Sequence, residues 1–190
     1  MRMTLICHGA TAATRLAAFP RDEPLEARAV ERAAALRDTI SHAARVLVSP
    51  ALRARQTAEA LGLSAEIDTA LRECDYGRWA GRKLKDLQAA EPEAIALWLS
   101  DVSAAPHGGE ALSALFQRVS TWLDQAMAGD NNTVAITHST LIRAAIVHLL
   151  AAPLASFWRI DVEPLSIVEL SGRGERRQLR FIGAGKATPH

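Results

Sequence analysis

Apolar and polar positions follow two different rhythms along this chain, and the switches between them mark out its elements. Met3 to Cys7 is apolar at every position but Thr4, the pattern of a buried strand, and it delivers His8 and Gly9 to the turn that follows. Ala10 to Glu23 mixes Thr, Arg and Pro without a period and reads as loop. From Pro24 to Ser41 the rhythm becomes helical: Leu25, Ala29, Ala33 and Leu36 recur among Glu and Arg, which predicts an amphipathic helix with proline in its first turn. Arg45 to Ser49 is a second buried strand. Ser49 and Pro50 are the expected N-cap and first position of a helix through Ala60, stopped by Gly62, and Ala65 to Asp68 reads as a short third strand.

Leu71 to Gly81 is a loop rich in charge and aromatic rings, followed by helices over Lys83 to Ala90 and Pro92 to Leu99, and by a second loop over Ala104 to Gly109. Glu110 to Met127 predicts a long helix with Leu112, Leu115, Phe116, Val119, Trp122 and Leu123 on its apolar side. Thr133 to Thr137 is another apolar strand, ending in His138, and a helix from Thr140 to Leu150 follows it. Pro164 to Leu170 and Gln178 to Ile182, divided by Gly172 and Gly174, have the pattern of a hairpin, with a frayed tail after Gly183. Strands alternating with helices predict a three-layer α/β/α fold with a mainly parallel central sheet. We expect a single domain over residues 1–190 with a small helical cap at about 73–110.

Composition narrows the function classes. The chain has 190 residues, 49% of them apolar, enough for one well-buried core. Its net charge of +1 is spread over interspersed acids and bases, so neither nucleic acid nor an anionic membrane is an expected partner. The longest apolar region, Leu141 to Trp158, contains Arg143 and His148 and is broken by Pro153, which fits a core helix rather than a membrane span. The apolar start is too brief for a signal peptide, so a cytoplasmic location is expected. Cys7 and Cys74 are too few for a disulfide framework, and no metal-ligand spacing stands out, so neither a metal nor another cofactor is expected. Oligomeric state is left open.

Candidate chemistry gathers at the strand ends. In a parallel α/β sheet, ligands sit beyond the carboxyl ends of the strands, where helix amino termini also point. Here those ends carry His8, Ser49 with Arg53 one turn into the next helix, and His138. Two imidazoles and a guanidinium converging on one edge describe an anion site suited to phosphate. Glu73, in the loop above, is the best placed carboxylic acid for proton transfer.

Several segments, in order, resemble the histidine phosphatase superfamily, the phosphoglycerate-mutase-like phosphatases. They are Cys7-His8-Gly9-Ala10-Thr11, Ser49-Pro50-Ala51-Leu52-Arg53-Ala54-Arg55-Gln56-Thr57-Ala58, Leu71-Arg72-Glu73 through Gly81, Gly108-Gly109-Glu110 and Thr137-His138-Ser139. The resemblance implies a metal-independent phosphomonoester hydrolase in which His8 accepts the phosphoryl group and Glu73 handles the leaving-group and water protons. It further implies that His138 stabilises the transition state and that Arg53, Gly9, Thr11 and Ser139 hold phosphate. The implied substrate is a small phosphorylated metabolite, with a nucleotide-like or sugar phosphate such as α-ribazole phosphate as one candidate. Cys7 departs from the pattern, standing where the family has arginine. Either another arginine, with Arg15, Arg21, Arg78 and Arg82 as candidates, takes over that contact, or the chain is a weak or inactive phosphate-binding homologue.

Overall fold

The strand Arg2–Cys7 (β1) lies inside a six-stranded sheet ordered β3-β2-β4-β1-β5-β6, seen here in a computed structural model that describes residues 1–40, 43–129, 131–172 and 177–182. Arg45–Val48 (β2), Glu66–Ile67 (β3) and Thr133–Thr137 (β4) run parallel with β1, whereas Ile167–Ser171 (β5) and Gln178–Ile182 (β6) form an antiparallel hairpin on its other side. The sheet is thus mainly parallel, as the alternation of elements predicts.

The period of two explains why it is covered on both faces. Met3, Leu5 and Cys7 of β1, with Ala135 of β4, join an apolar cluster with Leu115, Val119 and Leu123 of Leu112–Ala128 (α6) and Leu141, Ala144 and Ala145 of Ser139–Leu149 (α7). Ile6, Val134 and Ile136 turn the other way, against Ala54 and Ala58 of Leu52–Ala60 (α3). Ala27–Ala34 (α2) then seats Ala33 against Ala60 of α3. Each buried Leu, Ile, Val or Met side chain here is worth about 1.5–3 kcal/mol relative to exposure, which makes the two-faced sheet the stable arrangement.

Three boundaries differ from the sequence expectation for identifiable reasons. The stretch expected to be loop contains a short helix, Ala12–Leu16 (α1), nucleated by a reciprocal cap: Thr11 Oγ1 accepts from the Thr14 N–H at 3.3 Å while the Thr11 N–H donates to Thr14 Oγ1 at 3.3 Å. The helix expected from Pro24 begins only at Ala27, because Leu25 is drawn into an isolated bridge with Thr11 and its N–H donates to Gln56 Oε1 at 2.8 Å. It ends at Ala34 with a 3₁₀ turn at Arg37–Thr39 beyond it. Ser49 is not the cap of α3; Ala51 is, and Ser49 is used elsewhere. Ser41, His42, Gly174 and the tail after Gly183 lie outside the described residues.

Between the Glu73 loop and α6 come a 3₁₀ turn at Gly77–Trp79 and the helices Leu84–Ala90 (α4) and Pro92–Ser100 (α5), which pack around the fully buried Trp79 and Leu87. Among the described residues no helix is long and apolar enough to cross a membrane.

Glycines set the separation between the two loops that flank this segment. A Cβ on Gly109 would lie 2.1 Å from the Asp75 carbonyl oxygen, and one on Gly77, at φ +47°, would lie 2.2 Å from that of His107. The loops are tied by the Glu110 N–H donating to Asp75 O at 2.7 Å and the Arg78 N–H donating to His107 O at 3.0 Å. Gly109→Ala must therefore push backbone against backbone. It is expected to lower the unfolding free energy by about 1–3 kcal/mol, read as a reduced urea midpoint at unchanged slope.

Candidate active site

Strand register brings the predicted residues together. Cys7 pairs with Thr137 across β1 and β4, and the His8 N–H donates to Thr137 O at 2.9 Å, so His8 and His138 leave the sheet side by side with ring centroids 5.1 Å apart. On the far side of β4, Val48 pairs with Ile136, which sets Ser49 beside His138. The Ser49 hydroxyl lies 2.7 Å from His138 Nε2. Its task is to hold this imidazole rather than to cap α3.

His8 is locked in one tautomer. Its Nδ1–H donates to the Gly9 carbonyl at 2.7 Å, leaving Nε2 as an acceptor, and Arg53 Nε donates to it at 3.2 Å. Burial, reinforced by the neighbouring His138 and Arg53 charges, pushes its pKa down to about 3, so the ring is a neutral base at pH 7. Gly9 serves this geometry: its N–H donates to Thr57 Oγ1 at 3.0 Å, and a Cβ there would crowd Ala29 and Leu25 at 3.2 Å. Close packing, not a positive φ, requires glycine at this position.

Arg53 is 2% exposed and fully engaged: besides its bond to His8, Nη1 donates to Arg21 O at 2.6 Å and Nη2 lies 3.4 Å from Glu73 Oε2. His138 Nδ1 is 3.2 Å from both Arg53 Nη2 and Glu73 Oε2. Protonated, it donates to the carboxylate; unprotonated, it accepts from the guanidinium. Glu73 also accepts from the Cys74 N–H at 2.9 Å and from the Thr140 hydroxyl. Burial pushes its carboxyl up, but His138, Arg53 and the Thr140 hydroxyl together hold it well below the usual carboxylate range. Glu73 is therefore ionised in this state.

The cluster borders a cavity of about 440 Å³ that His8, Glu73, Ser139 and Thr140 share with Phe19, Tyr76 and Trp98. Arg53 faces an adjoining cavity of about 350 Å³, with Glu73 and Tyr76 in the wall between the two. His8, Glu73 and His138 have ligand atoms within 4.8 Å of one another, a spacing that suits a metal ion. The Arg53 guanidinium occupies that space and would repel a dication, so the donor set fits an anion better.

A comparison across proteins decides the family: the model of the histidine phosphatase superfamily (branch 1) matches residues 3–184. The chain belongs to that superfamily. This histidine phosphatase chain is 31% identical over 174 residues to the adenosylcobalamin/alpha-ribazole phosphatase of Salmonella typhimurium, covering 86% of each. It is 32% identical over 204 residues to the glucosyl-3-phosphoglycerate phosphatase of Mycolicibacterium vanbaalenii, covering 98% of this chain and 86% of that one. Its fold matches the crystal structure of the alpha-ribazole phosphatase from Shigella flexneri with a TM-score of 0.82 at 27% identity, over 96% of each chain.

Within the histidine phosphatase cluster, His8, Arg53, Glu73 and His138 meet as the sequence expects, and Ser139 lines the cavity at the start of α7. Thr11 stands at the cavity wall, but its hydroxyl donates to Glu23 Oε1 at 3.1 Å and caps α1, and the Gly9 N–H is taken by Thr57. Both hold the loop after His8 in place and have these groups committed. The arginines raised as substitutes for the one absent at Cys7 are committed too. Arg15 pairs with Glu26, Arg21 Nε donates to Ala80 O, and Arg78 and Arg82 both pair with Glu91. Sequence reasoning missed Thr57, a hydroxyl inside a recognised segment, and Thr140, one residue past another; Arg143, in a run read only as core, lines the cavity as well.

The depressed His8 pKa has a signed consequence. Below about pH 6.5 the unfolded chain binds a proton that the folded site refuses down to about pH 3, so stability falls with falling pH in that window. From about pH 7 to about pH 5, above the carboxylate range, the urea midpoint of the wild type is expected to fall more than that of His8→Gln, which lacks the titrating ring.

Proposed function

We propose that this chain is a metal-independent phosphomonoester hydrolase working through a phosphohistidine at His8. The observation that carries this reading is the His8 ring itself: neutral, tautomer-locked by Gly9, with Nε2 turned toward Arg53 beside His138 and Glu73. Nε2 attacks phosphorus as the bond to the ester oxygen breaks, and the alcohol leaves with a proton from Glu73. Water then attacks the phosphohistidine, gives its proton to Glu73, and releases phosphate with His8 restored.

The ion pairs set the order of events. Arg53 and His138 hold each other and Glu73 before substrate arrives. When the phosphate takes over their donors, Glu73 loses the partners that keep it ionised and gains a neighbouring negative charge. Both effects raise its pKa, so substrate binding itself produces the protonated acid that the first step needs. The Ser139 and Thr140 end of α7 points into the same cavity and adds its partial positive charge.

The cavity walls favour a small metabolite. Phe19, Tyr76, Trp98 and Leu84 offer apolar surface, whereas Arg143, Asp161 and Glu163 offer polar contacts, in a volume of about 440 Å³. A nucleoside- or sugar-phosphate fits that balance, and the named activities of the relatives on alpha-ribazole phosphate and glucosyl-3-phosphoglycerate support the same class. Cys7 favours a second reading, a phosphate-binding protein of weak activity.

Hydrolysis of p-nitrophenyl phosphate in EDTA separates the two. The wild type should turn over, His8→Ala should lose activity to background, and Glu73→Gln should be slowed by about 10²–10⁴-fold. Acid-labile, alkali-stable phosphate should accumulate on Glu73→Gln and not on His8→Ala. Equal rates for the wild type and His8→Ala would leave only the binding reading.

A further inference from the structure

Among the described residues, Arg53 is the one guanidinium within the catalytic cluster. Arg53 is balanced by the ionised Glu73, and His8 is neutral. Its Nη1 is held by Arg21 O, which leaves Arg53 Nε and Nη2 for phosphate oxygens once these leave His8, Glu73 and His138. One guanidinium cannot reach every phosphoryl oxygen, and charge on those oxygens is what the transition state must spread and neutralise, so a further cation at this cavity has a use.

One guanidinium in the cavity is only lightly held. Arg143, one turn beyond Ser139 on α7, lines the same cavity as Cys7 and His8. Its ion pair with Asp161, Nη2 to Oδ1, is 3.7 Å long, and the Asp161 side chain is 87% exposed. Its Nε is buried without a hydrogen-bond partner among the described residues. The guanidinium rests over the Phe157 ring at 5.8 Å, a contact that holds it without using its N–H groups. Asp161 and Glu163 line the same cavity, and the cation is kept at its wall by the long Asp161 pair and the Phe157 ring.

Cys7 makes room for it. A cysteine there is a small side chain that carries no charge, since burial and the nearby Glu73 push the thiol up to about 12. An arginine in its place would bring a second guanidinium into the cavity that Arg143 lines, where like charges repel.

We propose that Arg143 supplies from α7 the guanidinium contact to the transferred phosphoryl group that an arginine at position 7 would supply from β1. This rests on the phosphatase reading above. Arg143 thereby becomes a catalytic residue acting on the phosphoryl oxygens, not a selector of the alcohol.

The choice of substrate and inhibitor tests that distinction. p-Nitrophenyl phosphate has no charged group on its alcohol, and orthovanadate has no alcohol at all. Arg143→Met is expected to lower kcat/KM for p-nitrophenyl phosphate by about 10- to 1000-fold and to weaken vanadate inhibition in step. Cys7→Arg in the Arg143→Met background is expected to recover about tenfold or more of that loss. A change of less than about twofold in both rate and vanadate inhibition overturns the proposal. So does a loss confined to esters with an anionic alcohol, which would place Arg143 on the leaving group. If Arg143→Met does not fold, Arg143→Lys carries the test: it keeps the charge but loses the fork, and wild-type values for both readouts overturn the proposal. If the wild type and His8→Ala hydrolyse alike, the phosphatase reading falls by itself. Equal vanadate affinity of the wild type and Arg143→Met would then overturn this proposal separately.

Discussion

The parallel pairing of β1 with β4, with Cys7 opposite Thr137, is the constraint on which the site depends. It is a register of backbone hydrogen bonds, and a slip of one residue would turn Met3, Leu5 and Cys7 out of one apolar cluster and Ile6 out of the other. Because both faces are buried, the core enforces the register. Two imidazoles that are 130 residues apart in the chain thereby emerge as neighbours, and the pairing of β2 with β4 adds Ser49 beside them. The geometry of the site is in this sense a by-product of sheet packing.

Beyond the sheet edge the site is held by its own charges. Arg53, Glu73, His8 and His138 are each buried in whole or large part, and each is satisfied in part by the others. Such a cluster adds little net stability, because desolvation offsets the attraction, but removing one member leaves the rest uncompensated. It also stores the donors in readiness: an anion that replaces Glu73 and the His8 ring as their acceptor finds them already aimed. The apolar walls around it, from Phe19 to Trp98, keep the local dielectric low and give these contacts their strength.

Much of this was legible in the chain. The strands showed because a run buried on both faces is continuously apolar, and His8 and His138 showed because each ends such a run. Arg53 and Glu73 were legible through the segments around them. Ser49 was misread as a helix cap because serine before proline has that local meaning, and only the neighbouring strand reveals His138 as its partner. Helix α1 was invisible since its cap is a Thr11–Thr14 pair with no apolar period behind it. Gly9 and Thr11 looked like phosphate ligands, but Thr57 and Glu23, both distant in sequence, take their donors.

By itself the sequence determined the layered α/β arrangement and the identities of the four residues at its heart, since His8, Arg53 and His138 end strands or open a helix and Glu73 is marked by the segment around it. Only the tertiary structure decided what each of those residues is bonded to, and therefore its protonation: His8 is neutral chiefly because it is buried, and Glu73 stays ionised despite burial because of partners that arrive from other elements. The same holds for position 7. A cysteine there reads in one dimension as a lost charge, but in three it faces a cavity that already contains the guanidinium of Arg143. Charge acts through space and chain order does not, so the balance of this site was set by folding.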